Sequence, residues 1–175
     1  MTDIKHAVST KLLWVDLEMT GLEPDTDRIL EVAAIVTDFD FNELARFESA
    51  VHQDVSVLNA MNDWCKETHN ASGLVKRVMT APSEQKVAAD FAKFIQKHFD
   101  EPAVLAGNSI HQDRRFMRKW WPEVDGLLHY RMLDVSSYKI IMQGKYGKEF
   151  VKKETHRALD DIEESIAELK FYLET

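Results

Sequence analysis

The sequence has a single cysteine, Cys65, among its 175 residues. One cysteine excludes an intramolecular disulfide, so the chain suits a reducing compartment. The sequence also lacks any run approaching the roughly 20 apolar residues of a membrane-spanning helix, and it shows no signal-peptide pattern of an apolar stretch before a cleavage site. We therefore expect a cytoplasmic protein that does not interact with membranes.

Positive charge is also scarce, because 22 Lys and Arg residues face 30 Asp and Glu residues and give a net charge of −8. Proteins that wrap long nucleic acids need many basic side chains to neutralise phosphates, so this class is disfavoured. Carboxylates gathered around divalent cations nevertheless form a locally positive site once the ions are bound. The charge therefore limits the length of a nucleic acid substrate more than it excludes one.

Internal repeats and low-complexity segments are absent as well. Apolar residues make up 45% of the chain and charged residues 30%, both within the range of globular proteins. A chain of this length can bury a sizeable core without disulfides. We expect a single domain over residues 1–175.

The first part of the chain predicts three strands, Lys11–Leu17, Arg28–Asp38 and Glu43–Val51. A polar break around Asp40 and Asn42 indicates a hairpin between the second and third. Consecutive strands joined in this way predict an antiparallel start to the sheet.

Strands and helices alternate in the second part. Helical spacing of apolar residues predicts a closing helix over Arg157–Leu173 with a buried stripe, and a basic, glycine-containing loop is expected over Gly144–Glu154. The pattern as a whole indicates an α/β protein with a mixed five-stranded sheet flanked by helices. The other predicted elements are a helix over Ser83–Phe99, a strand over Ala103–Ala106, a helix over Asp113–Trp121, a strand over Tyr130–Val135 and a helix ending near Gln143. The predicted stripe of the closing helix is Ala158, Ile162, Ile166, Leu169 and Leu173.

Asp16 and Glu18 lie two residues apart at the end of the first predicted strand. Their side chains therefore leave the same face of the sheet, and two adjacent carboxylates call for a partner such as a divalent cation. The alternative is that Glu18 begins a solvated loop.

Asp113 and Asp161 each lie near the start of a predicted helix. The helix dipole alone favours an acidic residue there, so neither position is decisive. Ala158 shares a helical face with Asp161 and leaves room for a metal ion, while Asp160 is a rival ligand. His156 precedes this helix, where it could serve in catalysis or as part of a cap.

The order of these residues is more specific than any one of them. A strand Asp-x-Glu, a helix-start Asp and a terminal His-x4-Asp match the DEDDh 3′→5′ exonucleases, and the chain further resembles the oligoribonucleases among them. The segments that carry the resemblance are WVDLEMTGLEPDTDRILEVA, LNAMNDWCKETHNASGL, AGNSIHQDRRFM, LLHYRMLDVSS and THRALDDIEESIAEL.

The resemblance implies a ribonuclease H-like fold and a homodimer that degrades very short RNA to 5′-mononucleotides. It implies two Mg²⁺ or Mn²⁺ ions held by Asp16, Glu18, Asp113 and Asp161, with His156 as general base. It also implies that Tyr130 reaches the neighbouring subunit's site. The implied substrate contacts are Leu22 and Trp64 on the bases and Ser109, Arg131, Ser136 and Ser137 on the 5′-phosphate. Core packing remains an alternative for Leu22 and Trp64.

Other interpretations compete with this one. Cys65 and His69 lie four residues apart, as in some zinc sites, but no second pair follows. The basic residues Arg114, Arg115, Arg118 and Lys119 could bind RNA or could form a solvated helix face. At the level of function, the alternatives are an exonuclease that trims or proofreads longer ends and a catalytically silent RNA-binding module.

Overall fold

The computed structural model of the protein describes residues 10–151 and 157–174. The strands of this part are β1 (Lys11–Met19), β2 (Ile29–Asp38), β3 (Glu43–Ala50), β4 (Ala103–Gly107) and β5 (Leu128–Asp134). Its helices are α1 (Val55–Ala60), α2 (Asp63–Ala71), α3 (Leu74–Val78), α4 (Glu84–His98), α5 (His111–Trp120), α6 (Pro122–Asp125), α7 (Val135–Tyr146) and α8 (Ala158–Leu173).

The five strands form one sheet in the order β3-β2-β1-β4-β5. β1 pairs antiparallel with β2, and β2 pairs antiparallel with β3. β4 runs parallel to both β1 and β5. The predicted mixed sheet with an antiparallel start is therefore confirmed.

β1 lies in the middle of the sheet and is covered on both faces, which explains why it reads as a nearly continuous apolar run. Leu13 and Val15 belong to an apolar cluster with residues of α4 and α5. Leu12 and Trp14 point the other way, into a cluster with residues of α8. Alternation along the strand puts Asp16 and Glu18 on this second face, towards α8.

A smaller apolar cluster lies under the short helices α1 to α3. Cys65 is buried in it together with Leu30, Leu58 and Leu74. Its thiol therefore packs as a small apolar group, as free cysteines commonly do.

The hairpin between β2 and β3 is closed by one aspartate. The Asp38 carboxylate accepts backbone N–H bonds from Asp40 at 3.0 Å and from Asn42 at 2.9 Å. Phe41 adopts a positive φ of 62° inside this turn. The polar residues that marked the turn in the sequence thus form its hydrogen bonds.

The buried stripe of α8 differs from the prediction at its end. Leu173 is 51% exposed, whereas Ser165, Glu168 and Tyr172 are buried. A helix of 3.6 residues per turn drifts away from a constant spacing of four, so the core side is reached at Tyr172 instead of Leu173.

α7 also differs from the prediction, because it continues through Gly144 to Tyr146, into the segment expected to be a loop. A glycine inside a helix costs only about 1 kcal/mol, which the flanking residues offset. The helix ends at Gly147, whose φ of 61° suits glycine. Within the described ranges, no helix combines the length and the apolar character needed to cross a bilayer.

Candidate active site

Three carboxylates meet where the end of β1 faces the start of α8. Asp16 and Glu18 come from β1 and Asp161 comes from the first turn of α8. Each offers an oxygen, and these oxygens lie within 4.8 Å of one another. Asp160 is not part of this group, so the structure distinguishes Asp161 from its sequence neighbour.

Asp113 lies beside this cluster and contacts the β1 backbone between Asp16 and Glu18. Its Oδ1 accepts the N–H of Leu17 at 2.9 Å. Burial raises the pKa of Asp113 to about 7, with a smaller contribution from Asp134, although the bond from Leu17 opposes the shift. The structure therefore brings a fourth acidic group to the site, bound to the same strand as two of the others.

The Glu18 carboxyl group of this cluster has a strongly raised pKa. Burial raises its pKa to about 8, and the negative charges of Asp161, Glu31 and Asp113 add to the shift. Arg77 lowers it, but Arg77 is paired with Glu31, its Nη1 lying 2.5 Å from Glu31 Oε1. The acidic residues around Glu18 therefore carry more negative charge than Arg77 neutralises.

These residues fit a divalent metal ion. Carboxylate oxygens are the hard ligands that Mg²⁺ and Mn²⁺ prefer. A bound cation would also favour the ionised form of Glu18, which burial and the neighbouring negative charges otherwise keep protonated near neutral pH. The donor set and the electrostatics therefore point to the same kind of ligand.

Two serines meet at a second place, where the loop after β4 approaches the start of α7. The hydroxyls of Ser109 and Ser136 lie 3.2 Å apart. Asp134, the last residue of β5, accepts N–H bonds from Ser109 at 3.0 Å and from Ser136 at 2.9 Å. Ser109 has a positive φ of 50°, which these bonds hold in place.

Leu22 and Trp64 are 67% and 63% exposed, respectively. Core packing is therefore excluded for both. Leu22 lies in a loop after β1 that Asp27 organises, because its carboxylate accepts bonds from the Thr20 hydroxyl and from the Glu23 N–H, each at 2.9 Å. Ser137 and Arg131 are exposed too.

Known proteins match nearly the whole chain. The sequence profile of the exonuclease family RNase_T matches residues 13–169. An oligoribonuclease of Francisella tularensis subsp. novicida is 49% identical over 168 residues, which cover 92% of this chain and 93% of that protein. An oligoribonuclease of Vibrio parahaemolyticus is 50% identical over 171 residues, 94% of each chain.

The chain belongs to the oligoribonuclease family.

Solved structures agree on the fold. The chain superposes on Escherichia coli exonuclease I in complex with a dT13 oligonucleotide with a TM-score of 0.71 at 16% identity. The match covers 95% of this chain and 41% of that one. The mixed sheet with its helices is thus the ribonuclease H-like fold of exonucleases, as predicted. Membership of this family makes the protein a hydrolytic enzyme.

His69 is a site residue that the sequence did not reveal. Its ring Nε2 lies 2.8 Å from the Met19 carbonyl oxygen, 50 residues away in the chain. Because a carbonyl oxygen only accepts, Nε2 carries the proton, and Nδ1 faces Glu18 Oε2 at 3.9 Å. His69 thus lines the carboxylate cluster, and no local spacing rule predicts a contact of this range.

Two further predictions concern His156 and the basic residues of α5. His156 lies outside the described residues. Arg114 is buried instead of solvated, and its guanidinium donates to Asp125 Oδ1 at 3.0 Å and to the His129 carbonyl oxygen at 2.7 Å. The basic stretch of α5 is therefore partly a structural ion pair rather than a surface patch.

Proposed function

We propose that this protein is a 3′→5′ exoribonuclease that hydrolyses very short RNA, from dinucleotides to oligomers of a few nucleotides, and releases 5′-mononucleotides. The observation that carries the proposal is the meeting of Asp16, Glu18 and Asp161 in a chain of the oligoribonuclease family. We further propose that residues 1–175 form one domain and that it acts in the cytoplasm, which suits its single free cysteine.

Two Mg²⁺ or Mn²⁺ ions are the proposed cofactors. Asp16, Glu18, Asp113 and Asp161 would hold them. When bound, the ions stabilise the charge on the attacking and leaving oxygens of an in-line displacement at phosphorus. The protein's contribution would be to hold the carboxylates of Asp16, Glu18 and Asp161 together and to anchor that of Asp113 on the Leu17 amide of β1.

His156 is the proposed general base. An imidazole with the ordinary pKa of about 6.5 can take a proton from the attacking water near neutral pH. His156 precedes Asp161 by five residues in the sequence, the His-x4-Asp spacing of the DEDDh pattern, which is the reason for the assignment.

Leu22 and Trp64 are proposed to contact the substrate bases. Their exposure gives both side chains apolar surface that no core contact uses. Stacking of a base on an aromatic ring contributes about 1–3 kcal/mol and tolerates any sequence. These contacts suit an enzyme that degrades short RNA irrespective of sequence.

Ser109, Arg131, Ser136 and Ser137 are proposed to bind the 5′-phosphate, and we call them the phosphate subsite. Ser109 and Ser136 already lie together, and Arg131 is an exposed cation on the neighbouring strand. Hydroxyls and a guanidinium are suitable donors for a phosphate. A closed subsite at this end would leave no path for a longer strand, which agrees with the acidic net charge.

A homodimer is proposed, with Tyr130 acting in the neighbouring subunit's site. Tyr130 is 69% exposed and lies on β5, which is an edge strand of the sheet. The following helix adds exposed apolar side chains at Ile140 and Ile141. An edge strand that continues into an exposed apolar helix face suits a self-complementary contact between two copies.

The test is a length series of 5′-phosphorylated RNA oligomers with Mg²⁺ or Mn²⁺. We expect the rate to fall steeply beyond a few nucleotides and to vanish with chelator. A rate that stays flat or rises with length would contradict the proposal and favour a trimming enzyme. Binding without hydrolysis in either metal would leave only an RNA-binding module.

Asp160 and Asp161 provide a matched pair of variants for the metal site. Asp161→Asn should abolish turnover and weaken Mn²⁺ binding in a calorimetric titration, because its carboxylate belongs to the cluster. Asp160→Asn changes the neighbouring residue in the same helical turn and should leave both nearly unchanged. Equal effects of the two substitutions would contradict the assignment of Asp161.

A further inference from the structure

A fully buried carboxylate lies in α8, away from the three clustered ones. Glu168 has 0% exposure. It accepts hydrogen bonds from the Tyr172 hydroxyl at 2.9 Å and from the Asn108 side-chain amide at 3.0 Å. An apolar residue of similar volume would commonly stabilise such a position at least as well, so the buried charge calls for another explanation.

Asn108 connects this carboxylate to the serines of the phosphate subsite. A carboxylate that accepts bonds must face the NH₂ group of the Asn108 amide, which turns the amide oxygen the opposite way. That oxygen accepts the Ser136 hydroxyl at 3.2 Å. The Ser136 hydroxyl in turn accepts the N–H of Ser109 at 3.0 Å. Glu168 and the Ser165 hydroxyl, which also accepts from this NH₂ group, together set which way the amide points. The amide in turn positions the Ser136 hydroxyl.

The same amide also connects to the helix that carries Asp161. Asn108 Nδ2 donates to the Ser165 hydroxyl at 2.8 Å. The Ser165 hydroxyl donates to the carbonyl oxygen of Asp161, also at 2.8 Å. One side chain thus joins the serine cluster to the backbone of a residue in the carboxylate cluster.

We propose that Asn108, oriented by the buried Glu168, is a positioning residue that fixes the phosphate subsite relative to the carboxylate cluster. This inference rests on the proposed function, since it assumes that the two places hold the 5′-phosphate and the scissile phosphate of one short substrate. With both ends fixed, a substrate of matching length fits both at once. The pair thereby contributes to selectivity for short 5′-phosphorylated substrates.

The measurement is the ratio of kcat/KM for a 5′-phosphorylated dinucleotide to kcat/KM for the same dinucleotide without the phosphate. Asn108→Leu keeps similar volume and removes every hydrogen bond of the amide. We expect the ratio to fall about tenfold, the size of effect that one hydrogen bond to a charged group has. Turnover of the dinucleotide without the phosphate and Mn²⁺ affinity should change by less than about twofold, because the Ser165 hydroxyl keeps its own bond to the Asp161 carbonyl oxygen and neither quantity depends on the phosphate subsite.

Variants of Glu168 test the orientation directly. Glu168→Met removes the carboxylate that accepts from Asn108 and leaves the amide the Ser165 hydroxyl, so it should lower the ratio in the same direction as Asn108→Leu. Glu168→Gln retains one oxygen for the Asn108 amide and should preserve the ratio. Tyr172→Phe is the control, because it removes the hydrogen bond from the Tyr172 hydroxyl to Glu168 without touching Asn108. It should lower the melting temperature and leave the ratio unchanged.

The outcomes separate this inference from the proposed function. If the wild-type protein does not hydrolyse either dinucleotide, the proposed function fails. If it does, and both Asn108→Leu and Glu168→Met keep the wild-type ratio, the positioning role is overturned. Should one of these two variants fail to fold, the other decides. A fall in the ratio for Tyr172→Phe equal to that for Glu168→Met would show a general loss of stability instead, and would also overturn it.

Discussion

Replacing Glu18 by glutamine should make the metal-free protein more stable at alkaline pH. The Glu18 carboxyl is crowded by Asp161, Glu31 and Asp113, and burial together with their charges raises its pKa from 4.5 to about 8. Arg77 offsets only part of this effect. Glutamine has nearly the same shape and never ionises, so it removes the repulsion without leaving a cavity.

The direction of the pH dependence follows from the raised pKa. The folded protein holds the Glu18 proton more tightly than the unfolded chain, so this contribution to stability is fully present below pH 4.5 and is lost as the pH rises through 8. A rise of the Glu18 pKa from 4.5 to about 8 corresponds to at most about 5 kcal/mol. Because the side chain is 18% exposed, we expect a loss of about 2 to 4 kcal/mol between pH 5 and pH 8.5.

Urea unfolding with chelator at several pH values measures this loss. The free energy of unfolding of the wild type should fall more steeply with pH than that of Glu18→Gln, and saturating Mn²⁺ should stabilise the wild type more. Glu67→Gln, an exposed glutamate of α2, is the control and should follow the wild type. Parallel pH profiles for wild type and Glu18→Gln would refute the argument.

Three other substitutions test separate parts of the structure. Tyr130→Ala should abolish activity while the subunits still associate, as light scattering and dinucleotide turnover would show; a fully active variant would remove the proposed role. Gly21→Ala should raise KM for dinucleotides several-fold with little change in melting temperature. A Cβ at Gly21 would lie 2.5 Å from Asp27 Oδ2 and would displace the loop that carries Leu22. An unchanged KM would show that this loop does not contribute to substrate binding. Asp134→Ala removes the carboxylate that caps α7 at Ser136 and should lower the free energy of unfolding by about 1 kcal/mol in urea titrations; no change would show that the cap is dispensable.

The sequence could predict the sheet because its signals are local. β1 alternates between two buried faces, and this periodicity also assigns Asp16 and Glu18 to one side. The hairpin likewise follows from Asp38 and Asn42, whose side chains form the turn. The order of the acidic residues along the chain also predicted the family, because it matches the DEDDh pattern.

The remaining features depend on contacts between distant segments. His69 reaches the site through Met19 and Glu18, and the helix that carries it looked like half of a zinc site in the sequence. Glu168 lies on the buried side of α8, where helical spacing gives no reason for an acidic residue, and its bonds to the distant Asn108 and to Tyr172 appear only in the folded structure. Such pairings are fixed by tertiary packing, which single-sequence periodicity does not contain.

The carboxylate cluster joins the first strand of the sheet to the last described helix, and this has a consequence for how activity arises during synthesis. A growing chain on the ribosome carries Asp16 and Glu18 early, but Asp161 follows only after most of the protein has emerged. Contacts so distant in sequence form late, because the intervening chain must first be ordered. Nascent chains would therefore hold an incomplete carboxylate cluster until α8 docks, and under the proposed function a truncated translation product that lacks this helix would be catalytically inert.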